Sequence, residues 1–252
     1  MHTYDRNYFK IALPAALEGL FMILLASTDL IMVGALGALS IAAVSIFMQP
    51  RLILLCFSRS LASSVTLLVS QKAGAGDTNG TSDIMKKSLT LCAIFMGLLH
   101  ILFYIFLDDI FYLMGANDEY MAEAMAYGPI ALAAVYVTSL TLILQAVQLG
   151  YGRTSVIMKT NVCGNVVNLA LNALLIFGFG PIPSLGVTGA AIGTLVSTIF
   201  TLAWTTWILK NESFFSGGSY LPDRAYFHRM MPILLSILSE QGSERVGMVL
   251  QR

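Results

Sequence analysis

Apolar positions along this chain run in long blocks, separated by short breaks that carry charges, glycine or proline. Each block reaches the roughly 20 residues that an α-helix needs to cross a ~30 Å hydrocarbon core. The pattern predicts six spans, at about 8–36, 39–70, 86–107, 121–149, 155–177 and 186–209. A seventh apolar block opens near Met230 and runs to Arg252 with Glu240, Glu244 and Arg245 inside it. Uninterrupted runs such as Leu91 to Leu99 lack the alternation of a transmembrane β-barrel. The expected fold class is therefore an all-α membrane protein with six transmembrane helices and part of a seventh. The first block is too long for the apolar core of a signal peptide and has no small-residue cleavage site, so it is expected to stay as a span.

Composition agrees: 57% of residues are hydrophobic and 11% charged, with a mean hydropathy of +0.77. These values lie far from those of soluble domains. Lys and Arg outside the apolar cores set the orientation. Arg6, Lys10, Lys72, Lys86, Lys87, Arg153, Lys159, Lys210, Arg224 and Arg229 all fall on one side of the predicted spans. The opposite connections hold either no charge or the acidic residues Asp108, Asp109, Asp118, Glu119 and Glu123. The N-terminus is thus expected on the cytoplasmic side of the plasma (inner) membrane. The sequons at Asn79 and Asn211 then face the cytoplasm and carry no meaning. Cys56, Cys92 and Cys163 lie in or beside spans without metal or redox spacing and read as small packing residues. AGAGDTNG follows an apolar helix and lacks the third glycine of a dinucleotide loop, which makes it a flexible cytoplasmic turn. No Walker sequence, HExxH or nucleophile elbow is present, so neither an ATP-driven motor nor a hydrolase is expected in this chain. No cofactor, metal or nucleic-acid partner is expected.

Polar residues inside the spans carry the candidate chemistry. Asp29 sits within the first apolar block, where an ionised carboxylate costs roughly 3 kcal/mol on insertion scales and must face protein or a water-filled cavity. Asn161, Asn165, Asn168 and Asn172 recur at helical spacing along one face of the fifth span. Helical rise puts Asp29 about 10 Å, and Asn168 and Asn172 about 8–14 Å, below the outer surface. The shared depth admits two roles, lining a cavity or joining helices by hydrogen bonds. Gln49, Tyr136, Gln145 and Gln148 are further cavity candidates, and His100 reads as a packed ring. Arg51 and Arg59 stand inside the second span. A structural pair between Glu18 and Arg59 follows from their similar depth, and Arg51 could reach Asp29 and tie it into the structure.

An internal repeat is also legible. DRNYFKIALP, residues 5–14, returns 218 residues later as DRAYFHRMMP, residues 223–232, with Asp, Arg, Tyr, Phe and Pro matching. Six spans return the chain to its starting side, so a second copy would run parallel to the first. The predicted organisation is a six-helix lobe at 1–209, a cytoplasmic linker at 210–229 and a truncated second lobe from 230 to 252.

The stretches LPAALEGL, TDLIMVGALG, VTLLVSQKAGAGD, FYLMGAND, YGRTSVIMKTNVCGNVVNLALNALLIFGFG and LGVTGAAIGT, in that order and spacing, resemble the multidrug and toxic compound extrusion (MATE) transporters. The resemblance implies one six-helix half of a twelve-helix antiporter that exports organic cations or amphipathic drugs in exchange for H+ or Na+. It implies that Asp29 is the cation-coupling residue, that Asn168 and Asn172 occupy positions held by an Asn and Asp pair in some members, and that Glu240 is a possible coupling residue of the second lobe. The missing C-terminal half, or a second copy of the chain, would then complete the cavity. A flippase for lipid-linked substrates and a non-transporting membrane fragment remain as alternatives.

The one-sided distribution of Lys and Arg makes a direct prediction. In a background without the native cysteines, Asn117→Cys should react with an impermeant maleimide added outside intact cells, and Asn79→Cys should not. The reverse pattern would invert the assigned orientation.

Overall fold

A computed structural model of the chain describes residues 16, 19–20, 23, 27–28, 30–212 and 214–250, with side chains as far as residue 241. Eight helices are described in full: α1 (Ala38–Ile46), α2 (Met48–Gly74), α3 (Thr78–Ile105), α4 (Leu107–Leu113), α5 (Asp118–Gly150), α6 (Thr154–Phe177), α7 (Gly186–Asn211) and α8 (Arg224–Leu250). Five stretches are long and apolar enough to cross a membrane: 38–74, 78–105, 118–150, 154–177 and 186–211. They match the second to sixth predicted spans. Most of the first predicted span lies outside the described residues, although 30–34 are helical.

Two boundaries differ from the sequence expectation for local reasons. The second span is broken at Phe47, between α1 and α2. Pro50 has no N–H to offer the carbonyl of Ile46, so the first helix stops there and a new one starts, with the Arg51 N–H bonded to the Phe47 carbonyl at 3.1 Å. α3 begins at Thr78, well before the apolar run. Asp77 caps it by accepting from the Gly80 N–H at 2.8 Å, and Lys72 pairs with Asp77 at 2.7 Å. The predicted flexible turn is therefore a short capped corner, with Gly76 at φ +69°.

α5 is the hub, packing against α1, α2, α3, α4, α6 and α7. Its neighbours approach closely where it carries glycine. The side chains of Phe111 and Leu107 pack over Gly128, and Val69 with the Ser70 backbone lies over Gly150. A buried core of Leu54, Val65, Val69, Met85, Cys92, Met96, Phe111, Ile143, Leu144 and Val147 fills the space between α2, α3, α4 and α5. Within it the hydroxyls of Ser58 and Ser139 meet at 2.7 Å. Ser58 and Ser139 also sit against their own helices' carbonyls, so both are satisfied without water.

The segment from 214 to 223 is clamped onto the polar end of α3. Lys87, almost fully buried, bridges Asp83 at 2.7 Å and Asp223 at 2.8 Å. Asp83 also accepts from the Ser219 N–H at 3.0 Å, and the Ser88 and Tyr226 hydroxyls meet at 2.9 Å. Gly218, at φ +73°, lies against the backbone of Asp83, where any side chain would collide. Lys86 covers the Tyr220 ring at 5.0 Å. Beside this, Arg153 pairs with Glu212 and lies over the rings of Tyr151 and Phe214. Met230 and Tyr226 then enter the main core, which carries the start of α8 into the body of the helices.

Asp223 is the acid-sensitive part of this clamp. The Lys87 ammonium first, and the Tyr226 N–H second, hold its carboxyl below the usual carboxylate range. A depressed value means that the contribution is complete above about pH 4 and is lost as pH falls through the lowered value. Deuterium exchange at the Ser219 and Tyr226 amides should show protection at neutral pH that disappears under strong acid. Lys87→Met should lower that protection by about tenfold or more at neutral pH. Unchanged protection in Lys87→Met would contradict the clamp.

Candidate functional site

The polar stripe on α6 is the densest group of amides within the membrane-crossing helices. Asn161 accepts from the Gln145 side chain of α5 at 2.6 Å. Asn168 donates to the Thr194 hydroxyl of α7 at 3.3 Å, and Asn172 donates to the Asn168 carbonyl oxygen at 3.3 Å. Asn168 is 8% and Asn172 2% exposed, and Asn165 is half-buried. All four asparagines are engaged. The inner part of the stripe thus meets α5 and its outer part meets α7, so hydrogen bonding between helices is one role it fills.

α7 accommodates these amides because its facing residues are small. Gly193 lies against Asn172, Thr201 lies over Gly164, and Gly189 lies against the Leu175 carbonyl. Gly189 and Gly193 form a small-residue pair four apart in TGAAIGT, a signal for close helix approach that was present in the sequence and not used. Next to this seam Val33, Ile176, Val187 and Ala190 form a second buried cluster, which brings the first apolar block against α6 and α7.

The remaining sequence candidates are spread over other surfaces. Asp29 and Glu18 lie outside the described residues. Tyr136 faces α3, where its hydroxyl donates to the Ala93 carbonyl at 3.1 Å and its ring meets His100 edge-on at 5.5 Å. The His100 ring is buried with Nδ1 2.7 Å from the Met96 carbonyl oxygen, which fits a packed ring. Gln148 is buried at the opposite end of α5 from Asn117 and reaches Glu212 at 3.3 Å. Gln49, Arg51 and Arg59 are exposed on α2, and Glu240 is exposed on α8. Among the described residues, Arg51 and Arg59 form no ion pair. Asn165, Asn168 and Asn172 therefore share one site, whereas Tyr136 and Gln49 stand apart from it. The Asp83, Lys87 and Asp223 bridge went unread in the sequence, because only the Asp83–Lys87 half is local.

Comparison with known proteins follows this geometry. The MatE family model matches residues 14–174. A probable multidrug resistance protein NorM of Rhizobium meliloti is 27% identical over 210 residues, covering 83% of this chain and 45% of that protein. An FAD transporter of Shewanella oneidensis is 27% identical over 210 residues, covering 81% and 45%. Multidrug resistance protein PmpM of Pseudomonas aeruginosa is 24% identical over 248 residues, covering 94% and 52%. A solved MOP superfamily transporter from Pyrococcus furiosus matches with TM-score 0.85 at 23% identity, covering 96% of this chain and 54% of that one. The chain spans about half the length of the curated relatives it matches.

The α6–α7 seam yields a stability prediction. Gly189→Ala would drive a methyl group into the Leu175 carbonyl and should cost about 1–3 kcal/mol, seen as a melting midpoint several degrees lower in detergent. Gly97→Ala places its methyl 3.7 Å from Tyr136, an ordinary contact, and should stay within about 0.5 kcal/mol of the parent. Equal effects of the two changes would contradict the packing described.

Proposed function

The chain belongs to the MatE family and is a multi-pass membrane protein, and from that premise we propose that it forms the first lobe of a secondary antiporter. The transporter exports organic cations or amphipathic molecules and takes up H+ or Na+ in exchange. Its N-terminus faces the cytoplasm of the plasma (inner) membrane, with residues 1–209 as the lobe, 210–229 as the linker and 230–252 opening a second lobe. The second wall of the cavity comes from a C-terminal half or from a second copy of the chain.

One observation carries this reading: the buried amide network of α6 lies one turn from the cluster that holds the first apolar block. Val33 and Ile176 share that cluster, and in the sequence Asp29 and Asn172 each stand four residues before them. Both segments run outward in the proposed topology, so this register favours Asp29 at the level of Asn168 and Asn172. Asp29 is the group of this set that can change its charge. In the exchange cycle the ionised carboxylate holds a cationic ligand, and occupation by H+ or Na+ neutralises the site and releases it. Asn165, Asn168 and Asn172 supply neutral dipoles around that charge without competing for the ion. Tyr136 and Gln49 belong to the wider cavity lining and Glu240 to the coupling chemistry of the second lobe.

In a complete transporter containing this lobe, Asp29→Asn should abolish gradient-driven ethidium efflux while leaving membrane insertion and melting midpoint close to the parent. The amide keeps the shape and loses the switchable charge. A well-folded Asp29→Asn protein that pumps at the parent rate would refute the coupling role. A collapsed one that Arg51→Gln restores would instead assign Asp29 to an ion pair with Arg51.

A further inference from the structure

α2 carries a second polar stripe, separate from the one on α6. Cys56, Arg59, Ser63, Thr66 and Ser70 recur at steps of three and four, within an arc of about 80° on the helix. Arg59, Ser63 and Ser70 are exposed, and Cys56 and Thr66 are half-buried. The stripe is about 20 Å long at helical rise and ends beside Lys72. Such a face turned to lipid would be costly, roughly 2.5–3.5 kcal/mol for the arginine alone. Arg59 lies about 22 Å from the Gly74 end of the helix, too deep for its side chain to reach the headgroups. The stripe instead points toward α8, since the Cys56 thiol donates to the Gln241 side-chain oxygen at 3.3 Å. It therefore borders the space between this lobe and whatever stands opposite it.

Chemistry along the stripe is uneven. Thr66 donates to the Ala62 carbonyl and Ser70 to the Leu67 carbonyl, so their hydroxyl hydrogens are spent within the helix. Arg59 supplies the charge and the free N–H groups, in the planar fork that suits carboxylate, sulfonate or phosphate oxygens. From this placement we infer that Arg59 binds the acid group of the transported molecule, so that the substrate is an amphiphile carrying an acid, zwitterionic rather than purely cationic. The inference rests on the reading of the chain as an exporter lobe and narrows its substrate. A zwitterion reconciles two features that oppose one another for a simple cation: an exchangeable carboxylate on the first span and an exposed arginine on the second. Its basic end exchanges with the coupling ion, and its acid end is held by Arg59.

A matched pair of dyes tests this with the 252-residue chain in phosphatidylcholine nanodiscs. The probes are a rhodamine bearing a free benzoic acid and the same rhodamine as its methyl ester, read by fluorescence anisotropy against empty discs. The acid should bind about tenfold tighter than the ester, as one charge-assisted contact would give. Arg59→Gln should shrink that ratio to within about twofold, and Arg59→Lys should keep most of it. If the ester binds as well or better, the exporter reading stands and the acid-binding role falls. If neither dye binds above the empty disc, both fall. Should Arg59→Gln unfold the protein and Glu18→Gln restore it, Arg59 is a structural partner of Glu18 and the inference is overturned. A second measurement needs no ligand and no change at Arg59. Ser63→Cys, without the native cysteines, should react faster with a sulfonate methanethiosulfonate than with its trimethylammonium counterpart, relative to free cysteine. Equal relative rates would also overturn it.

Discussion

A polar group inside hydrocarbon must find its partner within the protein or face a water-filled space, and that constraint organises the whole chain. The helices answer it in three ways. Serine and threonine hydroxyls bond back to their own helix, as Ser58 and Ser139 do before meeting each other across α2 and α5. Amides reach across helix pairs, from Gln145 to Asn161 and from Asn168 to Thr194. Charges gather at the helix ends, where Lys87 is shared by Asp83 and Asp223 and Arg153 by Glu212 and two aromatic rings. What remains inside the spans after these pairings, Asp29 and Arg59 above all, is where transport chemistry is proposed.

Packing and polarity cooperate at the α6–α7 seam. Glycine on α7 lets the helix backbones approach, and the approach brings the amides of α6 to hydrogen-bond distance of Thr194. The same close fit makes the network rigid, as a site that must hold an ion in one geometry requires. At the other end of the molecule, the linker clamp joins the polar end of α3 to the first turns of α8. Pro232 lies inside α8 a little further on, where its missing N–H weakens the helix just past the clamped segment.

The spans were legible because hydropathy over twenty residues is a strong signal, and the second to sixth appear where the pattern puts them. The break at Phe47 was less visible, since Pro50 lies in a run whose apolar character never drops. The early start of α3 was missed because TNGTSDIMKK is polar; its helix is held by the Asp77 cap and by tertiary contacts with the linker rather than by hydrophobic burial. The asparagine stripe was readable from its spacing, but its partners were not, because Thr194 and Gln145 stand on other helices and long-range contacts leave no local mark. Tyr136 illustrates the same limit: its position on α5 was clear, while its direction, toward Ala93 and His100, depends on how α3 packs. The repeat located Asp223, yet only the fold joins it to Lys87.

The central claim is that a cationic ligand and the coupling ion compete for one carboxylate, Asp29. Ion displacement measures this without any transport. A complete transporter containing this lobe, in weakly buffered detergent, is mixed with ethidium while a pH indicator follows protons and a sodium electrode follows Na+. The account predicts close to one H+ or Na+ released per dye bound, and none from the Asp29→Asn protein. Dye binding with no ion displaced, or with equal displacement from both proteins, would contradict it.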